Sequence, residues 1–359
     1  MTVSRHFPKF GLGPNSIFSP NIDFIFTSGL SILTMTFIVI FHFYNPNFGN
    51  SSADNILPNI LILQALINWP HFIVSYRLLY GKRQNFIDFP MATIVVPSLL
   101  IIFCVCSAMP YFGGNGLLSL NVKASYFLWL FSSLYLAWHY VGQTWGVMVI
   151  YSGLSNAQFK SHEKILIRGG LYSLILWHVV WGIQTLPEMP ILALFQNSST
   201  QLTINILCLA AFLIGIFTFI LKSMKSKIDV RVFGAWVVIY LWYLVLFIMP
   251  AAFVFVQLSH ALQYLIFPAR IEVNRNNSNT HHAKTAKLRL FFVYIISIAI
   301  GLIVFYMPEF LFPEHSANPT LPALLAIAIN IHHYYTDSAI WKSRKDGIKK
   351  DLFTHINLK

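Results

Sequence analysis

The sequence predicts an all-α fold, a polytopic transmembrane helix bundle of about ten spans with both termini cytoplasmic. Three observations predict it: a scarcity of charge, apolar runs long enough to cross a bilayer as helices, and basic residues confined to alternate loops. Only 10% of the residues are charged and 56% are hydrophobic, and the mean hydropathy is +0.64. A water-soluble domain carries about a quarter charged residues, so water is not the solvent for most of this surface. Apolar stretches recur from Ile22 to Trp341 and many approach the roughly 20 residues that a helix needs to cross hydrocarbon. They are continuous rather than alternating in polarity, which favours helices over the strands of a barrel.

In chain order the spans are expected at 22–44, 55–80, 89–112, 124–152, 164–186, 202–222, 231–249, 251–267, 289–307 and 320–342. The loop charges test this count independently. Arg5 and Lys9 precede the first span. Alternate loops then carry Lys82 and Arg83; Lys160, Lys164 and Arg168; Lys222, Lys225, Lys227 and Arg231; and the cluster from Arg270 to Arg289. Lys342, Arg344, Lys345, Lys349 and Lys350 close the chain, whereas the intervening loops hold a single basic residue, Lys123. This is the positive-inside pattern. It depends most on the break at Met249, Pro250 and Ala251, because losing it would invert everything downstream.

The layout is therefore a cytoplasmic tail at 1–21, one transmembrane domain at 22–342 and a basic cytoplasmic tail at 343–359. The net charge of +12 sits in short clusters between spans, where it faces anionic lipid rather than nucleic acid. Cys104, Cys106 and Cys208 lie inside apolar runs and read as small buried hydrophobes, with no disulfide framework. The N-terminal segment lacks an apolar run ending in a small-residue cleavage site, so insertion is expected to rely on the first span.

The histidines separate by topology. His6, His162, His281, His282 and His355 fall in cytoplasmic loops or tails, His315 outside, and His42 near the outer end of the first span. Within spans lie His71, His139, His178, His260, His332 and His333. His71 precedes Lys82 by 11 residues, His260 precedes Arg270 by 10, and His332 precedes Lys342 by 10. His139 stands at a similar distance from the inner end of its span. At 1.5 Å per residue these levels all lie roughly 15 to 20 Å from the cytoplasmic helix ends. His178, on a helix running the other way, lies nearer the exterior.

Each histidine belongs to a polar stripe at helical spacing: Gln64, Asn68, His71 and Ser75; Tyr135, His139, Gln143 and Gly146; Gln257, His260 and Tyr264; Asn330, His333 and Asp337. Such stripes face a bundle interior, because an imidazole in lipid would lack partners. Asp337 is the only acid deep in an expected span, four residues after His333, where it can ligate the same metal or orient a ligating ring. Taken singly, each histidine could simply bridge helices by hydrogen bonds. Taken together, His71, His139, His260, His332 and His333 form a candidate metal site, and imidazole without thiolate suits Fe, Zn or Cu. Pro70 is expected to kink its helix beside His71, and Arg77 to extend to the cytoplasmic surface. Tyr76, Tyr264, Tyr334, Tyr335, Trp69, Trp138 and Trp145 could wall a long apolar ligand or anchor the helices at the interface.

Absent motifs narrow the chemistry. The sequence has no HExxH, no P-loop, no GxGxxG opening a nucleotide fold, no cysteine set for an iron–sulfur cluster, and no HxxxH or HxxHH box. A reaction that needs only substrate and O2, the substrate supplying the electrons, is easier to accommodate than a monooxygenase, although a separate reductase could dock on the basic face.

Pro70-His71 on an early helix, His139-Tyr140 two helices later, a His260 segment, and a late His332 with Asp337 five residues on stand in an order that resembles the bacterial and archaeal Brp/Blh-type β-carotene 15,15′-dioxygenases. The resemblance is carried by short motifs around the site. It implies a membrane enzyme that holds Fe(II) through histidines on several helices and uses O2 to split a carotenoid. Carried onto this chain, it implies His71, His139, His260 and His332 or His333 as metal residues, with Asp337 and Tyr264 as catalytic side chains. Three departures stand out. Ser75 occupies the place of an acid, Tyr264 that of a second histidine, and the chain is longer by about two spans. The expected partners are a lipophilic, carotenoid- or lipid-like substrate, O2 and membrane lipid, in a bacterial inner membrane. Two other classes compete: a haem-binding electron-transfer protein with two axial histidines, and a transporter with a polar histidine-lined pathway.

Overall fold

The computed structural model describes residues 8–45, 60–108, 115–184, 192–280, 283–307, 321–342 and 346–356, and it is helical nearly throughout. In chain order the main elements are β1 (Phe10–Gly11), α1 (Pro20–Tyr44), α2 (Trp69–Tyr80), α3 (Val96–Ala108), α4 (Asn115–Leu154), α5 (Ser161–Gln184), α6 (Ser198–Lys225), β2 (Ile228–Asp229), α7 (Val230–Ile248), α8 (Phe253–Thr280), α9 (Ala283–Gly301), α10 (Leu321–Lys342) and α11 (Asp346–Phe353). His6, His281, His282 and His315 lie outside the described residues.

Six helical stretches among the described residues are long and apolar enough to cross a membrane: Pro20–Tyr44, Ser161–Gln184, Ser198–Lys225, Val230–Ile248, Pro250–Asn276 and Thr285–Tyr306. The other four expected crossings fall on α2, α3, α4 and α10. Many outward side chains on these helices are large and apolar, among them Leu33 at 69% exposure, Phe37 at 64%, Phe217 at 60% and Ile303 at 57%. Rows of this kind are stable only against hydrocarbon, which makes this a membrane protein. The separation at Pro250 is present: Met249 leaves the helical region with φ −141° and ψ 89°, and Pro250–Ala252 forms a single 3-10 turn before α8 begins.

The chain forms two compact units. The first comprises residues 1–60 and 140–266, the second 61–139 and 267–359. In the first, α7 is the buried centre, with Trp236, Val238, Ile239 and Trp242 all fully inaccessible. Gly215 lets α6 approach it, since a Cβ there would run into the Trp236 ring. The N-terminal segment joins this unit through a two-residue parallel pairing, Phe10 opposite Ile228 and Gly11 opposite Asp229.

That pairing delivers an ion network. Arg231, placed by charge counting in a cytoplasmic loop, is fully buried. Its guanidinium donates to Asp229, to Asp23 Oδ2 at 3.2 Å, and to the carbonyls of Gly13 and Asn15. Asp23 also accepts from the amides of Ile17 and Phe18. A bidentate cation between two carboxylates satisfies the fork geometry of arginine.

In the second unit, α2 packs against α9 and α10. An apolar cluster of Cys104, Leu128, Leu324, Ala328 and Ile331 ties α3, α4 and α10 together. Arg77 does not simply reach for the surface: its Nε lies 3.0 Å from Glu272 Oε1, and Arg289 Nε lies 3.1 Å from the other oxygen. Glu272 is buried and joins both arginines, while the Arg77 side chain stays partly exposed.

Candidate metal centre

Pro70, in the first turn of α2, shapes how that helix presents His71. It has no amide hydrogen to give to the carbonyl four residues back, that of Leu66. The preceding turn, Gln64–Asn68, widens into a π-turn, and the Tyr294 hydroxyl donates to the Leu66 oxygen instead. Pro97 does the same for α3. The turn before it, Met91–Val95, is also π, and the carbonyls left without a helical donor accept from outside: Thr93 from Tyr80 at 3.3 Å, and Ala92 from His332 Nε2 at 2.8 Å. A π-turn inside an α-helix is a frequent companion of functional sites.

His71, His139, His260 and His333 form a buried cluster. Each offers one ring nitrogen, and these atoms lie within 4.8 Å of one another. Within the second unit the geometry is specific. His71 Nε2 and His333 Nε2 are 2.9 Å apart, with ring planes at 82°. The His139 ring centroid stands 5.1 Å from that of His333 and 6.4 Å from that of His71. Asp337 Oδ2 lies 3.6 Å from His333 Nε2 and 3.9 Å from His139 Nε2.

Aromatic rings fix these imidazoles. Phe72 lies against His333 with centroids 4.2 Å apart, and Phe305 lies against both Phe72 and Trp69. Tyr334 stacks on His139 at 4.8 Å and donates its hydroxyl to Asn330 Oδ1 at 3.0 Å. Tyr76 stacks on His332 at 5.2 Å and donates to the Ile329 carbonyl.

His332 stands apart from the cluster, held by Ala92 O. His178 is buried among Trp181 and Tyr243 and is likewise outside it. Ser75 donates back to the His71 carbonyl at 3.1 Å, within its own helix. In the first unit, Gln143 Nε2 donates to the His260 carbonyl at 3.0 Å and to Gln263 Oε1 at 3.3 Å. Gln263 Nε2 in turn donates to Thr27 O, a carbonyl in the π-turn Ile25–Gly29. Tyr264 is 2% exposed, one turn after His260. Gln263 lies off the polar stripe read from the sequence, and the only signal for it was a buried-type amide beside Tyr264.

The residues fit a metal ion. Ligands about 2.1 Å from a common centre stand roughly 3.0 to 4.2 Å apart, depending on the angle between them. The separations within the second unit, 2.9, 3.6 and 3.9 Å, match this range closely. No family model, curated protein or solved structure matches this chain.

Proposed function

We propose that the protein is an integral-membrane non-haem iron oxygenase acting on a lipophilic, carotenoid- or lipid-like substrate. The observation that carries the reading is the buried four-histidine cluster, His71, His139, His260 and His333, in a chain built of apolar membrane helices. Imidazole ligation without thiolate suits Fe(II), and it equally admits Zn or Cu, so the metal is part of the proposal. When bound, Fe(II) would supply O2 activation next to the substrate. The chain's own residues hold the ion, shield it from water and fix the rings by the aromatic contacts of Phe72 and Tyr334. Tyr264 belongs to the proposal as a catalytic phenol because it is buried one turn from His260.

The proposal places about ten spans in a bacterial inner membrane with both termini cytoplasmic and the histidines in the inner leaflet. In this reaction the substrate itself supplies the electrons that reduce O2. A separate reductase docking on the basic loops is the partner to seek if added substrate turns over only with an external donor.

The haem alternative would use two of these histidines, and His71 and His333, whose Nε2 atoms are 2.9 Å apart, are too close to be that pair.

The test is elemental analysis and absorption spectroscopy of the full chain purified in detergent and reconstituted anaerobically with Fe(II), followed by O2 uptake with and without carotenoid. One iron per chain, no Soret band and substrate-dependent O2 uptake are expected. Failure to retain any metal, or a Soret band, overturns the reading.

A further inference from the structure

We infer that the Asp337 carboxylate is itself a metal ligand, not merely a residue that orients a ligating histidine. The inference rests on the metal reading above and adds to it an anionic oxygen donor.

The position of the carboxylate distinguishes the two roles. An orienting carboxylate accepts a hydrogen bond from the ring nitrogen that does not hold the metal, at about 2.7 to 3.0 Å. Asp337 Oδ2 instead faces Nε2 of His333, at 3.6 Å, and Nε2 of His139, at 3.9 Å. His333 turns that same Nε2 toward His71, 2.9 Å away. The carboxylate is thus on the inner side of the rings, where the three imidazoles converge. Both separations are too long for hydrogen bonds, yet both match two ligands sharing one ion. With bonds of about 2.1 Å, separations of this size correspond to angles of roughly 90° between His71 and His333 and roughly 120° to 140° between Asp337 and its two histidines.

Helix geometry makes the arrangement unstrained. His333 and Asp337 are four residues apart on α10, so one turn delivers a nitrogen and an oxygen to the same point. Charge argues in the same direction. Imidazoles alone would leave a divalent ion uncompensated among side chains that are at most 6% exposed, and a coordinated carboxylate removes one unit of that charge. A hard oxygen donor also moves preference away from Cu(I) and toward divalent ions that accept mixed nitrogen and oxygen ligation.

The experiment uses the full chain in detergent micelles loaded with Co(II) as a spectroscopic probe and, separately, with Fe(II), for the wild type, Asp337→Asn and Asp337→Glu. Far-UV circular dichroism and size-exclusion elution establish that each variant is folded. Asp337→Asn is expected to weaken Co(II) binding at least about tenfold and to shift the Co(II) ligand-field bands. Asp337→Glu, which keeps the anionic oxygen, is expected to recover part of both. Preference for Cu(I) over Fe(II) should rise in Asp337→Asn only. If the wild type takes up metal and Asp337→Asn leaves the ligand-field bands unchanged, the ligand role is overturned while the metal site stands, whatever happens to affinity. If Asp337→Asn does not fold, unchanged bands in folded Asp337→Glu overturn it, because a longer side chain cannot occupy the same coordination position unaltered. If the wild type itself takes up no metal, the metal reading fails and this inference falls with it.

Discussion

His71 and His333 meet nitrogen to nitrogen at 2.9 Å, although 262 residues separate them in the chain. Neighbouring His332 is directed elsewhere, with its Nε2 2.8 Å from the Ala92 carbonyl. Two adjacent histidines on one helix therefore have different surroundings. His333→Ala should reduce bound iron from near one per chain to below about a tenth, since even outer partners of metal ligands are worth 10- to 100-fold in affinity. His332→Ala should keep the metal and lower stability by about 1 to 2 kcal/mol through the buried acceptor it leaves. Metal analysis and thermal unfolding of both variants decide this; equal metal loss in the two would contradict the division.

Arg231 lies buried between Asp229 and Asp23, with its Cζ 4.5 Å from the centre of the Tyr151 ring. Removing the cation leaves two buried carboxylates facing each other. Arg231→Met should destabilise the protein by about 3 to 5 kcal/mol. Lysine cannot span both acids with one ammonium, so Arg231→Lys should recover only part. Combining Arg231→Met with Asp23→Asn and Asp229→Asn should recover more than lysine does. Thermal unfolding in detergent is the measurement, and an unchanged midpoint for Arg231→Met would show that the network contributes nothing.

The helical character and the histidine cluster were legible because both depend on one-dimensional signals. Run length distinguishes membrane helices, and distance from basic loop residues gives depth along a helix, which brought His71, His139, His260 and His332 to one level. Rotation about a helix axis is less well determined. His332 and His333 differ by about 100° of rotation, and only the packing of Phe72 and Tyr76 shows which ring joins the cluster. The burial of Arg231 was out of reach for a related reason: charge counting assigns a basic residue to a loop and says nothing of its partners, and here the acids come from 208 residues away and from the adjacent turn. The π-turns before Pro70 and Pro97 change which carbonyls are available to side chains, and no residue pattern announced them.

The C-terminal helix α11 is latched by Asp351, which lies 2.7 Å from Arg275 Nε and 3.0 Å from Lys82 Nζ. Asn274 adds hydrogen bonds to the carbonyls of Asp351 and Leu352. Partial burial raises the Asp351 pKa, but the hydrogen bonds and charges of Arg275 and Lys82 outweigh it and hold the carboxyl below its ordinary value. A carboxylate with a lowered folded pKa contributes stability that is complete above the unfolded value, about 4, and is lost as pH falls through the folded value. The pair is partly exposed, so the contribution is about 1 kcal/mol or less. Limited proteolysis from pH 6 to 3 should show the C-terminal helix released only at the acidic end. Asp351→Asn should show release at pH 6 with little further change; a wild-type pattern that stays flat to pH 3 would remove the latch.

Gly301 on α9 connects packing to the histidine cluster. A Cβ at this position would come within 2.6 Å of Trp69 Cβ, a backbone-anchored atom that cannot swing aside. Trp69 immediately precedes Pro70 and His71, and its ring stacks on Phe305 at 5.9 Å. Gly301→Ala must therefore push α2 and α9 apart, at a cost of about 1 to 3 kcal/mol. The displacement passes to Phe72, which lies against both Phe305 and His333. Metal affinity should fall several-fold along with the unfolding temperature, although residue 301 is not a ligand. Gly169 on α5 supplies the contrast, because a Cβ there meets nothing within 4 Å. Gly169→Ala should leave metal affinity unchanged and raise stability by up to about 1 kcal/mol through helix propensity. Parallel metal titrations and unfolding curves of the two variants test the coupling, and an unaltered affinity in a destabilised Gly301→Ala protein would show that α9 packing and the histidine cluster are independent.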